Sequence, residues 1–568
     1  MKKKLKFLSC GVFVFSLALT SCDFPAFFDS ASDDVSSSST YGSQSSTEDS
    51  NGDMTYGDFS SGSSLSLYGK MSETQDIEVM PSLGSPRIFV AKVEFKDSDD
   101  DLGGFDSSSY QNSYTGSVFH ADWDDVIYDG FFGDDSDTGW QSVRSFYKES
   151  SYGKLNIEGT LADTVYVTPK TLSQYESSGT SVEVITSDIA EGVYEEFFGG
   201  SGTVYNGRDY DSDGDGVIDG LWLVYDLPYD ASESDLLWAF TSWHVDDSGY
   251  IDTTGFSTYG WASKWFFADG GYLDSDNDLL ADSHTFIHET GHFMGLLDMY
   301  DTSSTQKGRS PAGALIMMDH NVYDQDPYSK YMLGWIDPRR ISVNDLTGDS
   351  ASLTLEPFEE SGDALIVDLP DNTGWEGEEY LLVIYWTPTG LNEKDASEEY
   401  EDEATNYGLT ESGMMVFHVD SRFMEYGYSA IGNNFVSTGD FASSATDIDE
   451  AWEDRGKTTS TVYTSAYDNS SDVDNLTTNV NDVLLLMIDA SNNYANMTRG
   501  ANYTTAGTAD NDYLFREGDK YDDSYLGYKS QSGFTEKFHT STSSDPLGLS
   551  LTFGTQESNG AEITFDKD

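Results

Sequence analysis

His284-Thr-Phe-Ile-His288-Glu289-Thr-Gly-His292-Phe-Met-Gly295-Leu-Leu-Asp298-Met-Tyr-Asp301 is the stretch on which the reading of this chain turns. On a helix, residues four apart share a face, so His288 and His292 present both imidazoles to one cation, with Glu289 beside them to take a proton from a water on that cation. His284 extends the same face, but a straight helix carries it about 6 Å along the axis from His288, beyond a common coordination sphere. It is expected to support or cap the helix. Gly295 is suited to the left-handed conformation that ends a helix and turns the chain back, which would bring Asp298 to the metal. No Glu occurs between Glu289 and Glu356, so a carboxylate from a following helix has no nearby source. Asp298 is the economical third ligand, with Asp301 and Asp319 as alternatives. A His-His-Asp set leaves a position open for water, as a catalytic zinc requires.

Upstream of this helix, the apolar run Pro86–Phe95 reads as a buried strand, and Ser142–Ile157 as a helix stopped at Gly153 and followed by a strand. Val182–Phe198 has helical spacing and Gly220–Tyr225 reads as another buried strand. Strands alternating with helices predict an α/β (α+β) domain over residues 81–348. Short alternating runs follow at Ala351–Leu355, Tyr380–Tyr385 and Met414–Val419, separated by turn-rich spacers. They predict a mainly antiparallel, sandwich-like β domain over 349–568.

The chain has 568 residues and a formal charge of −72, from 29 Lys+Arg against 101 Asp+Glu. A nucleic-acid partner is excluded by repulsion from phosphates. Aromatic residues make up 14% and hydrophobic residues 37%, enough to build cores under an acidic surface. No repeat with a period of tens of residues appears, which disfavours solenoids and propellers.

Residues 1–21 have the layout of a secretory signal, with Lys2, Lys3, Lys4 and Lys6 ahead of an apolar run too short to span a bilayer. The run closes on Leu19-Thr20-Ser21-Cys22, which resembles a bacterial lipobox and implies a lipid-modified Cys22. Cys10 and Cys22 are the only cysteines, so neither a disulfide nor a cysteine-type zinc site braces the mature chain. Residues 22–80 are Ser/Asp-rich and acidic, and are expected to be a disordered tether on the extracellular side of the cell membrane.

Asp211-Ser-Asp213-Gly-Asp215-Gly-Val-Ile-Asp219 places carboxylates at positions 1, 3, 5 and 9 of a loop with Gly216 at the sharp turn, the pattern of a Ca²⁺ loop. Trp222 stands where an EF-hand has its bidentate Glu. Asp274, Asp276, Asp278 and Asp282 repeat the spacing without the Gly, and Asp97, Asp99 and Asp101 read as a polar loop. His244 and His418 fall in strand-like runs and read as structural, while His120 and His539 carry no context.

Several ordered blocks resemble the immune inhibitor A family of secreted bacterial zinc metallopeptidases, a metzincin-like group. They are Ile88–Phe95, Ser150–Asn156, Asp211–Asp219, the zinc segment and Tyr328–Trp335, with weaker likeness at Gly413–Asp420 and Leu514–Asp519. The resemblance implies a metzincin-like catalytic domain with zinc on His288, His292 and Asp298, and Glu289 as general base. It also implies a Met-turn beneath the metal, falling on Met318 with Met317 as the alternative. Leu297 departs from the family, which usually has Pro there, and His320 reads as a rim histidine.

Together these features predict a lipid-anchored, cell-surface endopeptidase acting on protein or peptide substrates, with Zn²⁺ and Ca²⁺ as cofactors. The alternative is a surface module that binds glycan or protein on an idle peptidase scaffold, with Trp375, Trp386 and Trp452 available for stacking. The sequence leaves oligomeric state open.

Overall fold

The computed structural model describes residues 79–96, 118–200, 203–229, 235–244, 255–296, 310–370, 379–397, 408–420, 485–491, 509–522 and 546–568, with short pieces between them. Cys22 and the rest of the expected tether up to residue 78 lie outside the described residues, except Thr47–Glu48 and Met54–Thr55, which pair antiparallel; Asp97, Asp99, Asp101, Asp301, Trp375, Trp452 and His539 also lie outside. The chain is a mixed α/β protein with several sheets.

The first sheet contains β1 (Arg87–Glu94), β2 (Glu158–Val167), β3 (Gly220–Tyr225), β4 (Phe240–Trp243) and β5 (Thr258–Ser263) in the order β2-β1-β3-β5-β4. All pairings are parallel except the edge pair β4-β5. Helices cover both faces, which is why β1 and β3 read as unbroken apolar runs. Ile88, Val90, Trp222 and Val224 face α1 (Trp123–Phe132), α2 (Val143–Ser150) and α4 (His284–Phe293). Phe89, Val93, Leu221 and Leu223 face Ile185, Ile189 and Val193 of α3 (Val182–Phe197). The strand over 220–225 has the expected limits, and the helix over Val182 ends within one residue of its expectation.

After α4 come two short helices, α5 (Met317–His320) and α6 (Pro327–Met332). The C-terminal half then builds two sheets. One holds β6 (Arg339–Ile341), β8 (Ala364–Asp368), β9 (Glu379–Trp386), β10 (Gly413–Asp420) and β11 (Leu485–Met487) in that order, antiparallel except for β6-β8. The other is antiparallel throughout, in the order β7 (Ser350–Leu355), β14 (Gly560–Lys567), β13 (Leu549–Glu557), β12 (Lys520–Tyr521). Leu365, Val367, Leu381, Val383 and Val416 pack across to Leu551, Phe553, Ile563 and Phe565. The opposite face, with Ile366, Leu382, Ile384, Met415 and Phe417, joins the core that holds Phe286, Met317 and Met318. The five-stranded sheet is therefore buried on both faces, and the core runs without a break across residue 348.

Met80, at the expected end of the tether, belongs to the fold: it is 1% exposed, and its N–H donates to the Phe293 carbonyl at the end of α4. Among the described residues no helix is long and apolar enough to cross a membrane.

Candidate metal centre

The helix α4 forms where the spacing predicts, with Phe286, Ile287 and Phe293 buried against the sheet and the neighbouring helices. It ends in a left-handed Gly295 (φ 90°), with Leu296 N–H bonded to the Gly291 carbonyl and Gly295 N–H to the His292 carbonyl. That closing pattern satisfies carbonyls the helix would otherwise leave open. It also does two things for the site. Leu296 O accepts from His292 Nδ1 at 2.7 Å, and the reversed chain delivers Asp298 to the histidines.

His288, His292 and Asp298 come together, with one ligand atom of each within 4.8 Å of the others. Asp298 Oδ1 stands 3.1 Å from His288 Nε2 and 3.3 Å from His292 Nε2. His288 Nδ1 lies 2.8 Å from the Met317 carbonyl, which can only accept, so Nδ1 carries the proton there and at His292. Both Nε2 lone pairs then face a carboxylate oxygen. Three converging acceptors require a positive centre among them, either a proton or a cation. Ligands about 2.0–2.1 Å from a tetrahedral zinc lie about 3.3 Å apart, so this donor set fits zinc.

The charges of these groups respond to one another. Burial would raise Asp298, but His292 and His288 hold its carboxyl well below the usual range. Burial opposes charge on His292, yet the Asp298 carboxylate outweighs it and lifts the imidazole to about 9. Glu289 is 8% exposed, and burial pushes its carboxyl up against the opposing pull of His292 and His288. Thr241 Oγ1, on the edge strand β4, donates to the Glu289 carbonyl at 2.9 Å.

The two methionines divide their tasks. Met317 supplies the carbonyl that orients His288, whereas Met318 is fully buried and packs against Gly291 between the two histidines. His284 stays out of the cluster: Asp282 Oδ1 is 2.6 Å from its Nδ1, and its ring stacks on Trp140 at 4.4 Å. Asp319 is occupied elsewhere, accepting from Ser310 Oγ, Ala314 N–H and His320 Nδ1.

In the acidic loop, Asp211, Asp213 and Asp215 also come together. Gly214 and Gly216 are left-handed (φ 84° and 100°), and Asp211 accepts from both their N–H groups. Asp219 is not in that group; its carboxylate accepts from Arg87 N–H at 2.8 Å and Ser212 N–H at 3.1 Å, tying the loop to β1. Asp274, Asp276, Asp278 and Asp282 form no such cluster: Asp274 accepts from Asp276 and Asp278 N–H, and Asp282 holds His284. His418 is buried against Glu379 at 2.9 Å.

Sequence reasoning missed Gly291 and the Met317 carbonyl. A glycine at the centre of a helix was the available signal for the first, since it costs helix stability unless something packs there.

Neither a scan against protein-family models nor a search of curated proteins returns a match for this chain.

Proposed function

We propose that this protein is a zinc-dependent endopeptidase of metzincin-like type, acting on proteins or peptides at the cell surface. The observation that carries the reading is the convergence of His288 Nε2, His292 Nε2 and Asp298 Oδ1 beside the buried carboxyl of Glu289. His288, His292 and Asp298 would hold the ion, which when bound supplies Lewis-acid activation of water and of the scissile carbonyl. Glu289 accepts the proton of the attacking water as its oxygen bonds to the carbonyl carbon. It returns that proton to the amine nitrogen as the C–N bond breaks. Burial suits Glu289 to this task by making its carboxylate more basic. The likeness of the chain's sequence blocks to the immune inhibitor A family favours the same reaction class. Anchoring through a lipid on Cys22 and Ca²⁺ binding by Asp211, Asp213 and Asp215 complete the proposal.

The test is elemental analysis for zinc together with casein cleavage by wild type and Glu289→Ala. We expect one zinc per chain in both, with cleavage lowered about 10²–10⁴-fold in the variant. A wild-type chain without zinc at that site, or equal cleavage by the two proteins, overturns the reading.

A further inference from the structure

The segment that follows the methionines is held in an unfavourable backbone. Asn321 and Tyr323 both adopt left-handed conformations (φ 57° and 60°); Asn321 tolerates this as the cap of α5, whereas for Tyr323 it costs energy and persists only where the surroundings impose it. The Asp324 carboxylate is held within the N-terminal half by Ser150 Oγ and Lys330 Nζ, and the segment's backbone is held from the C-terminal half, by the short helix Asn392–Asp395 beyond β9. Asp395 Oδ2 accepts from Tyr323 N–H at 2.6 Å, and the Tyr323 hydroxyl donates to the Asp395 carbonyl at 3.1 Å. Asn392 Oδ1 accepts from Asp324 N–H at 3.1 Å. Asn392 is 2% exposed, and its orientation is set from the other side: Nδ2 donates to Glu359 Oε1 at 2.9 Å, so Oδ1 must face Asp324. Glu359 is itself fixed by Thr387, whose N–H and Oγ1 both donate to Oε2.

From Asp324 the contacts continue to the metal ligands. The Asp324 carbonyl accepts from Met317 N–H at 3.2 Å, and the Met317 carbonyl accepts from His288 Nδ1 at 2.8 Å. Four residues therefore lead by hydrogen bonds from the C-terminal half to an imidazole: Asn392, Asp324, Met317 and His288. The acceptor that fixes the His288 ring is a backbone atom at the start of α5, tied through its own N–H to Asp324 just beyond the strained residues, so its place depends on what holds that segment.

We propose that Asn392, oriented by Glu359, is a positioning residue for His288, so that the C-terminal β region is part of the metal centre's support. This rests on the zinc reading above. Groups that orient a metal-ligating histidine contribute about 10–100-fold to metal affinity.

The test uses the full mature chain and cobalt(II) in place of zinc, because cobalt's visible bands report ligand geometry. Three proteins are compared: wild type, Asn392→Ala, and Phe565→Leu, which perturbs the C-terminal core away from this path. Asn392→Ser takes the place of the alanine variant if that chain does not fold. We expect the Asn392 variant to bind cobalt at least about 10-fold more weakly and to shift its bands, with Phe565→Leu keeping both at wild-type values whatever its Tm. Unchanged bands and affinity in the Asn392 variant, or the same changes in Phe565→Leu, overturn the proposal. A wild-type chain that takes up no cobalt at the site sinks the zinc reading itself, an outcome separate from the other two.

Discussion

Gly291 and Met318 are packed so closely that a β-carbon on Gly291 would stand 2.6 Å from the Met318 sulfur and 3.0 Å from the Tyr147 hydroxyl oxygen. Tyr147 is itself anchored, donating to the Ile287 carbonyl at 2.6 Å, so the sulfur must move. Gly291→Ala is expected to weaken zinc binding about 10-fold or more by displacing the turn that orients His288, although alanine is the better helix former. Competition with a zinc chelator measures this, and retention equal to wild type would show that the packing is incidental.

Asp298 and Asp319 separate in the same assay. Asp298 Oδ1 lies beside both Nε2 atoms, whereas Asp319 is engaged by Ser310, Ala314 and His320. Asp298→Ala should lose stoichiometric zinc, and Asp319→Asn should keep it while losing stability by about 1–3 kcal/mol from its disrupted buried hydrogen bonds. The reverse pattern would reassign the third ligand.

The entry of the chain into the fold gives a truncation prediction. Met80 is bonded to the end of α4, and Ser82 bonds Leu333 O through its hydroxyl while its own carbonyl accepts from Trp335 Nε1. A chain beginning at Val79 should therefore keep the stability of the folded part. One beginning at Gly84 loses the buried Met80 side chain and should be less stable by about 2–5 kcal/mol. Chemical denaturation of the two chains decides it; identical midpoints would mean the strap contributes nothing.

Asp129 on α1 sets a pH prediction. Burial, then the charges of Asp137 and Asp125, raise its carboxyl to about 6. The folded chain thus holds this proton more tightly than the unfolded chain. The resulting stability is complete below about pH 4 and is lost as pH rises through 6. Asp129→Asn should match wild type near pH 4 and exceed it at pH 8, by on the order of 0.5 kcal/mol once solvent screening of this part-exposed group is counted. Equal stabilities at pH 8 would refute it.

The two sequence-distant halves show where legibility stopped. Short apolar runs located β3 and β9, and the four-residue spacing of the histidines located α4, because each is a local consequence of backbone geometry and burial. The patterns did not reveal that β9 is covered on both faces, by the layer that holds α4 and by the second sheet. The loop motif brought Asp211, Asp213 and Asp215 together as its spacing implies, yet Asp219, at the ninth position, turned to Arg87 and Ser212.

The sequence alone determined the helix that carries His288, Glu289 and His292, the glycine that ends it, and the acidic character of the whole chain. These follow from spacing and composition within a few turns of backbone. Only the tertiary structure decided that the Asp298 carboxylate reaches both imidazoles, that Met317 orients His288 across 29 residues, and that Asn392 holds Asp324 across 68. Asp298 was legible as a candidate, but the Met317 and Asp324 contacts depend on how separate layers pack and use backbone groups, which residues carry alike, so no residue type in the sequence announces them.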